Sequence, residues 1–284
     1  MPGSTWTPSA RQRERERYGR SRTRRSALIA LVSSAVLLVL LTLAIVNSPG
    51  WPRVQATFFD PQVARDSWPD VLSGMWLNVR VWLAASVLMM VFGLVIAVLR
   101  TLRGPVFWPV RALATGYVDL FRGMPVIIVL YVIGLGLPGL RLQGIPTGAG
   151  VLGTVALTLT YSAYVAEVLR AGIESIHPSQ RAAARSLGLS TTQTLRHVVL
   201  PQAVRRVVPP LLNDVISLQK DAGLISVLGA LDALRYAQIT TAEHASFTPY
   251  LVAGLLFVVI SVPLTRITDA LARRQGYTFQ GGQL

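Results

Sequence analysis

Long uncharged apolar runs alternate along the chain with short arginine-rich stretches. Ala27 to Val46 (20 residues), Val81 to Leu99 (19), Gly123 to Leu140 (18), Leu142 to Ala166 (25) and Ala245 to Thr265 (21) contain no charged side chain. A bilayer core about 30 Å thick takes about 20 helical residues to cross. A sixth apolar stretch, Val207 to Leu231, is interrupted by Asp214, Lys220 and Asp221. In lipid every backbone polar group must be bonded internally, which leaves helices or closed barrels, and runs of this length are helical. The pattern predicts an all-α, polytopic integral membrane protein with about six transmembrane helices. The first run is longer than the apolar core of a cleavable signal, about 7–15 residues, and no A-x-A site precedes Asn47-Ser48-Pro49, so it reads as a retained helix.

Composition supports the membrane reading. The chain is 52% hydrophobic and 14% charged, with mean hydropathy +0.50, whereas soluble domains carry about 25% charged residues. The net charge of +14, from 27 basic and 13 acidic residues, raises nucleic acid as a partner. Placement argues against it. With six spans and a cytoplasmic N-terminus, nineteen basic residues fall inside, and four (Arg53, Arg65, Arg141, Arg235) fall outside. That asymmetry favours cytoplasmic N- and C-termini for a multi-pass membrane protein. The organisation predicted is a basic cytoplasmic tail (1–26), a first transmembrane helix (27–47), an irregular extracytoplasmic connection (48–71), a transmembrane domain (72–271) with a long cytoplasmic loop (173–206), and a C-terminal tail (272–284). The tail arginines, from Arg11 to Arg25, suit anionic lipid headgroups.

The absences are as informative. There is no cysteine, and the one lysine, Lys220, lies between Gln219 and Asp221. A Walker A loop needs Gly-Lys followed by Ser or Thr, so the chain has no P-loop ATPase site. His177, His197 and His244 are scattered without metal-ligand spacing. No catalytic, cofactor-binding or metal residues are assigned, and a membrane-embedded hydrolase lacks its nucleophile and base.

The loop 170–206 carries helix punctuation. Pro178 suits a first turn and Gly188 a C-terminal stop. Ser190 and Gln193 have capping-box spacing, and Leu200-Pro201 reads as the end of the second short helix. The run Gln180-Arg181-Ala182-Ala183, then Gly188, then Val199-Leu200-Pro201-Gln202-Ala203 resembles the EAA loop of ABC-importer permeases. Tyr117 to Pro125, Tyr164 to Ile173 and Leu218-Gln219-Lys220-Asp221 resemble the polar amino-acid branch of that family. The resemblance covers roughly residues 72–271.

The resemblance implies a five-helix type-I importer core plus an N-terminal helix. It also implies two permease chains, a cytoplasmic ATPase dimer, an extracytoplasmic amino-acid-binding protein and an amino-acid substrate. ATP hydrolysis would lie in the ATPase, and this chain would be no enzyme. Coupling to the ATPase falls to Gln180, Arg181, Ala182, Ala183, Gly188, Leu200 and Pro201. Arg181 stands where the family motif has Glu, which leans the pairing toward a heterodimer. Lys220-Asp221-Ala222-Gly223-Leu224 lacks the hydroxyls of the family's Lys-Asp-Thr-Ser-Leu. An ATP-independent channel or ion-coupled transporter is the alternative. It needs no such loop and usually shows inverted repeats, of which none is visible.

Ionisable groups at membrane depth face a cavity or a partner by default. Glu167, Asp214, Lys220 and Asp221 are candidates for the translocation pathway. For Glu167, pairing with Arg170 is an equal reading, and for Lys220, neutralisation by Asp221. Asp119 and Arg122, three apart, are expected to form a structural ion pair. Pro209-Pro210 suits a kinked start to the interrupted span. The glycines near 134–139 and 148–153 are expected to serve close helix packing.

Overall fold

The computed structural model describes residues 9–102, 104–144 and 146–274. Every regular element among them is helical. The helices are α1 (Ala10–Val46), α2 (Trp51–Phe58), α3 (Pro61–Thr101), α4 (Trp108–Gly123), α5 (Val126–Gly139) and α6 (Ala149–Glu174). They continue as α7 (Pro178–Ser186), α8 (Thr191–Thr194), α9 (Leu200–Asp221), α10 (Ala233–His244) and α11 (Thr248–Arg274). Three-ten turns occur at Pro105–Phe107 and Ala222–Leu228, and a π turn at Leu195–Val199. Residues 1–8 and 275–284 of the two expected tails lie outside the described residues.

The chain divides into two units, 1–56 and 57–284. In the first, α1 reaches back to Ala10 through the arginine-rich segment, and its side chains from Ser26 to Val46 are all exposed. A helix apolar on every face is stable only in a core or in lipid. Among the described residues, four helical stretches are long and apolar enough to cross a membrane: Ser26–Val46, Trp51–Thr101, Ala149–Glu174 and Thr248–Arg273. The pair Pro105–Gly123 and Val126–Gly139, bent by 109°, makes a fifth if counted as one span.

Several expected boundaries move, each for a local reason. The connection at 48–71 is mostly helical rather than irregular. Pro52 and Pro61 lie in first turns, where the missing N–H has no intrahelical acceptor, and Asp60 caps α3 by accepting from Gln62 N (2.9 Å) and Val63 N (3.2 Å). Helix α3 thus begins twenty residues before the predicted run and is about 60 Å long. The run 123–140 is only the second arm of a bent pair. Met124, preceding Pro125, is forced out of the helical region to φ −103°, ψ 131°. Helix α9 runs unbroken through Pro209 and Pro210, and the helix tightens into a 3-10 turn only at Ala222.

Helix α6 is the central element of the second unit and packs most extensively on α3. Its Ala156, Leu157, Tyr161 and Val165 meet Val81, Ala85 and Met89 of α3, Leu130 of α5, Leu218 of α9 and Ile225 of the following turn. Close approach depends on missing side chains. A Cβ on Gly153 would lie 2.5 Å from Ile225, and one on Gly172 would lie 2.0 Å from Val207. The packing role expected for the glycines holds at Gly134 and Gly153, whereas Gly136, Gly139 and Gly148 meet nothing within 4 Å. A second cluster joins Val71 and Met75 to Ala233, Ala237 and Leu256 of α10 and α11. Between the clusters, buried Asn78 donates to Ala222 O (2.9 Å) and Asp232 Oδ2 (2.9 Å) and accepts from Ala233 N (3.1 Å).

Candidate functional site

The loop after α6 folds as its punctuation requires. His177 Nδ1 accepts from Ser179 N (3.2 Å) at the start of α7, with Pro178 in the first turn. At the other end Gly188 takes φ +82°. Gly188 N donates to Arg185 O (2.9 Å) and Leu189 N to Ala184 O (3.2 Å), the paired bonds of a Schellman stop. Ser190 and Gln193 form the reciprocal capping box, with Ser190 N donating to Gln193 Oε1 (2.9 Å) and Gln193 N to Ser190 Oγ (3.2 Å). The proline stop is corrected. Pro201 lies in the first turn of α9, and α8 continues into it through the π turn, where Leu200 N reaches Leu195 O. Widening the helix there accommodates a residue that has no N–H and whose ring crowds the preceding turn.

Helix α7 turns Gln180, Ala182 and Ala183 outward, buries Ala184, and ends beside Leu187, which is 82% exposed. Arg181 is half-buried, and its Nη2 donates to Ile173 O (2.9 Å) at the C-terminal end of α6. Arg206 Nη1 donates to Ser175 O. Ile173, Ile176, Val199 and Ala203 pack beneath. The loop is therefore fastened to the end of α6 and the start of α9.

The membrane-depth charges separate into two groups. Glu167 has 19% of its side chain exposed and is held from three helices. Arg100 of α3 donates at 2.9 Å, Arg122 of α4 lies 3.7 Å away, and Arg170 of α6 donates from Nη2 at 2.5 Å. Arg170 also meets Glu174 at 2.5 Å. The i,i+3 pairing of Glu167 with Arg170 is thus present, but the expected Asp119–Arg122 pair is not: Arg122 turns to Glu167, and no ion pair of Asp119 occurs among the described residues. A shared carboxylate on the facing helix offers Arg122 a site that Arg100 and Arg170 have already built.

Asp214 and Asp221 form the other group. Seven residues apart, they share one face of α9 about 10 Å apart along the axis. Tyr161 OH donates to Asp221 Oδ2 (2.8 Å), and Tyr164 lies beside it, the two rings 5.8 Å apart. Asp214 Oδ2 is buried without a partner among the described residues. Lys220 is exposed on another face. Tyr161 is a residue that sequence reasoning missed. Its signal is a tyrosine pair at i,i+3 in an otherwise apolar span. No group of three or more His, Asp or Glu able to hold a metal occurs among the described residues.

Residues 90–277 match the family model described as "Binding-protein-dependent transport system inner membrane component". The chain is 37% identical over 187 residues to the probable glutamine ABC transporter permease protein GlnM of Bacillus subtilis (strain 168), covering 65% of this chain and 83% of that one. It is 31% identical to the arginine transport system permease protein ArtQ of the same organism, covering 72% and 92%. A crystal structure of an amino acid ABC transporter with histidines is similar at TM-score 0.67 and 31% identity, covering 72% of this chain and 94% of that one. An inward-facing MetNI methionine ABC transporter shares the fold at TM-score 0.57 and 20% identity, covering 72% and 95%.

Proposed function

Because the chain belongs to the family of binding-protein-dependent transport system inner membrane components, we propose that it is the membrane-spanning permease subunit of an ATP-driven importer of polar amino acids. The observation that carries the coupling role is the loop α7–α8, with its Gly188 stop and outward Ala182, Ala183 and Leu187. Such a surface suits a groove in a cytoplasmic ATPase. With no Gly-Lys-Ser or Gly-Lys-Thr anywhere in the chain, the energy comes from that subunit. Nucleotide-driven closure of the ATPases moves the loop and biases two arrangements of the helices, open inward or outward. An extracytoplasmic binding protein delivers the amino acid. The N- and C-termini lie in the cytoplasm, as the arginine asymmetry favours.

Lys220 supports a second permease chain. A charge at membrane depth that faced lipid would be costly, and this one is exposed on the isolated chain, so a partner chain or a shared aqueous cavity covers it. Asp214, Asp221 and Tyr161 are assigned to the pathway, where buried polar groups can meet a zwitterionic substrate. Glu167 is assigned instead to holding α3, α4 and α6 together, since arginines occupy both its oxygens. The glutamine and arginine relatives support polar amino acids as the substrate class.

The test is uptake of labelled glutamine and arginine into proteoliposomes. The permease is reconstituted with its co-expressed ATPase and binding protein, with and without ATP inside. Uptake that requires ATP and both partners is the expected result. Uptake by the permease without any ATPase would overturn the proposal.

A further inference from the structure

We propose that the hollow between α7 and the α8–π-turn segment is the receptor for an acidic side chain of the ATPase, read by Arg181 and Arg185. This rests on the proposed function, which places an ATPase against this loop.

The hollow is about 350 Å³ and is lined by Arg181, Arg185, Thr191, Thr194, Leu195 and Val199. Several of its polar groups are without a partner among the described residues. Thr194 is 5% exposed, and its Oγ1 has no partner among the described residues. Arg181 uses Nη2 on Ile173 O, but its buried Nε has no acceptor among the described residues. Arg185 is exposed, and its side chain makes no hydrogen bond or ion pair among the described residues. A buried donor without an acceptor is a standing cost until something supplies one. The missing chemistry is therefore an acceptor, and beside two guanidinium groups it is an anionic one. A carboxylate is planar, accepts only, and matches the guanidinium fork.

The surroundings favour a carboxylate on a protein. Residues 175–206 hold Arg181, Arg185, Arg196, Arg205 and Arg206 and no Asp or Glu. No acid of the loop itself can fill the hollow, and an acidic partner surface is complementary. The hollow lies past Glu174, beyond the last turn of α6. One of its walls is α7, with outward Ala182 and Ala183 and exposed Leu187. A cationic centre with an apolar margin fits a folded protein surface better than a headgroup layer.

Arg181 also ties α7 to α6, so its loss alone would confound two roles. The Arg185 side chain has no bond among the described residues, so its charge can be changed without breaking one. In nanodiscs, purified ATPase is titrated onto the full-length permease. Arg185→Glu is expected to weaken binding about tenfold or more, Arg185→Gln less, and both should flatten the dependence of affinity on salt. The wild-type chain has no cysteine, so Arg185→Cys gives a single cross-linking site. An Asp or Glu of the ATPase near the cross-link, changed to Arg, should restore binding to Arg185→Glu. Unchanged affinity and salt dependence in Arg185→Glu would overturn the site while leaving the permease function standing. A loss confined to nanodiscs containing anionic lipid would also overturn it, by assigning the hollow to headgroups. Wild-type permease that binds no ATPase would overturn the proposed function, and this site with it.

Discussion

Replacing Gly188 by valine probes the proposed coupling loop through one backbone torsion. Gly188 holds φ +82° and supplies one of the two N–H groups that close the Schellman stop of α7. A Cβ built there meets nothing within 4 Å, so the substitution introduces no clash. What remains is the conformational cost of a left-handed L-residue, about 1–2 kcal/mol, with a β-branched side chain at the upper end. That is about a 5- to 30-fold shift between the native turn and an unwound one. The turn fixes where α7 ends and where the Ser190 capping box begins. A shifted population is therefore a mis-set coupling helix rather than an unfolded protein. Substrate-stimulated ATP hydrolysis and uptake, measured together in proteoliposomes, should fall in the order Gly, Asn, Ala, Val, because Asn tolerates this region and Val does not. Uptake should fall further than hydrolysis, and the melting temperature of the detergent-solubilised permease should stay put, since the turn is exposed. The reasoning is refuted if valine transports normally, or if asparagine is as damaging as valine.

Other positions give sharper stability tests. Asn78→Leu leaves the Asp232 carboxylate and the Ala233 N–H buried without their partner, so it should cost about 3 kcal/mol or more; an unchanged melting temperature would count against Asn78 as the tie between α3 and α10. Gly172→Ala drives a Cβ to 2.0 Å from Val207 and should cost about 1–3 kcal/mol, most of it recovered when Val207→Ala is added. Arg100→Gln should destabilise more than Arg122→Gln, because Arg100 has 13% of its side chain exposed and lies 2.9 Å from Glu167, against 41% and 3.7 Å for Arg122. About 1.5–3 kcal/mol is expected for Arg100 and at most about 1 for Arg122; equal losses in thermal denaturation would reject the ranking. Tyr161→Phe and Asp221→Asn should lower amino-acid uptake by similar factors and combine non-additively, as partners in one hydrogen bond do; additive losses would separate them.

What could be read from sequence was whatever depends on near neighbours. The Ser190–Gln193 box, the Pro178 start and the Gly188 stop are each decided within a few residues, and all three appear as read. The family assignment rested on the same local runs. Proline was the main source of error because its effect depends on register. Pro61 starts a helix where an irregular connection was expected, Pro201 starts one rather than ending one, and Pro209 and Pro210 sit inside one. Arg122 shows the other limit. Three residues from Asp119, it had an adequate local partner, but α3 and α6 bring Arg100, Arg170 and Glu167 to the same place. Nothing in a linear pattern ranks a distant carboxylate above a near one. Tyr161 and Asn78 were silent for the same reason, their partners lying 60 and 154 residues away.

The two groups of membrane charges suit different tasks, and the loop's fastening links it to both. Glu167 and Tyr161 lie on α6, whose C-terminal end receives the bond from Arg181 of α7. The bond from Arg206 of α9 ends on Ser175, one residue beyond α6. Bonds from a charged donor to a carbonyl are worth about 1.5–3 kcal/mol each, and the Ile173, Ile176, Val199 and Ala203 cluster adds buried apolar area. Moving α7 independently would break those contacts. Moving it together with the ends of α6 and α9 preserves them, so a rigid displacement of the three is the cheaper path. Through Glu167 such a displacement pulls on α3 and α4. Because α6 and α9 move together, it carries the bonded pair Tyr161 and Asp221 as one. An ATPase acting on α7, as proposed, would therefore reach both the ion-paired frame and the Tyr161–Asp221 pair. A Cβ on Gly172 would lie 2.0 Å from Val207, so the close seating of α6 on α9 that a joint displacement requires depends on that glycine.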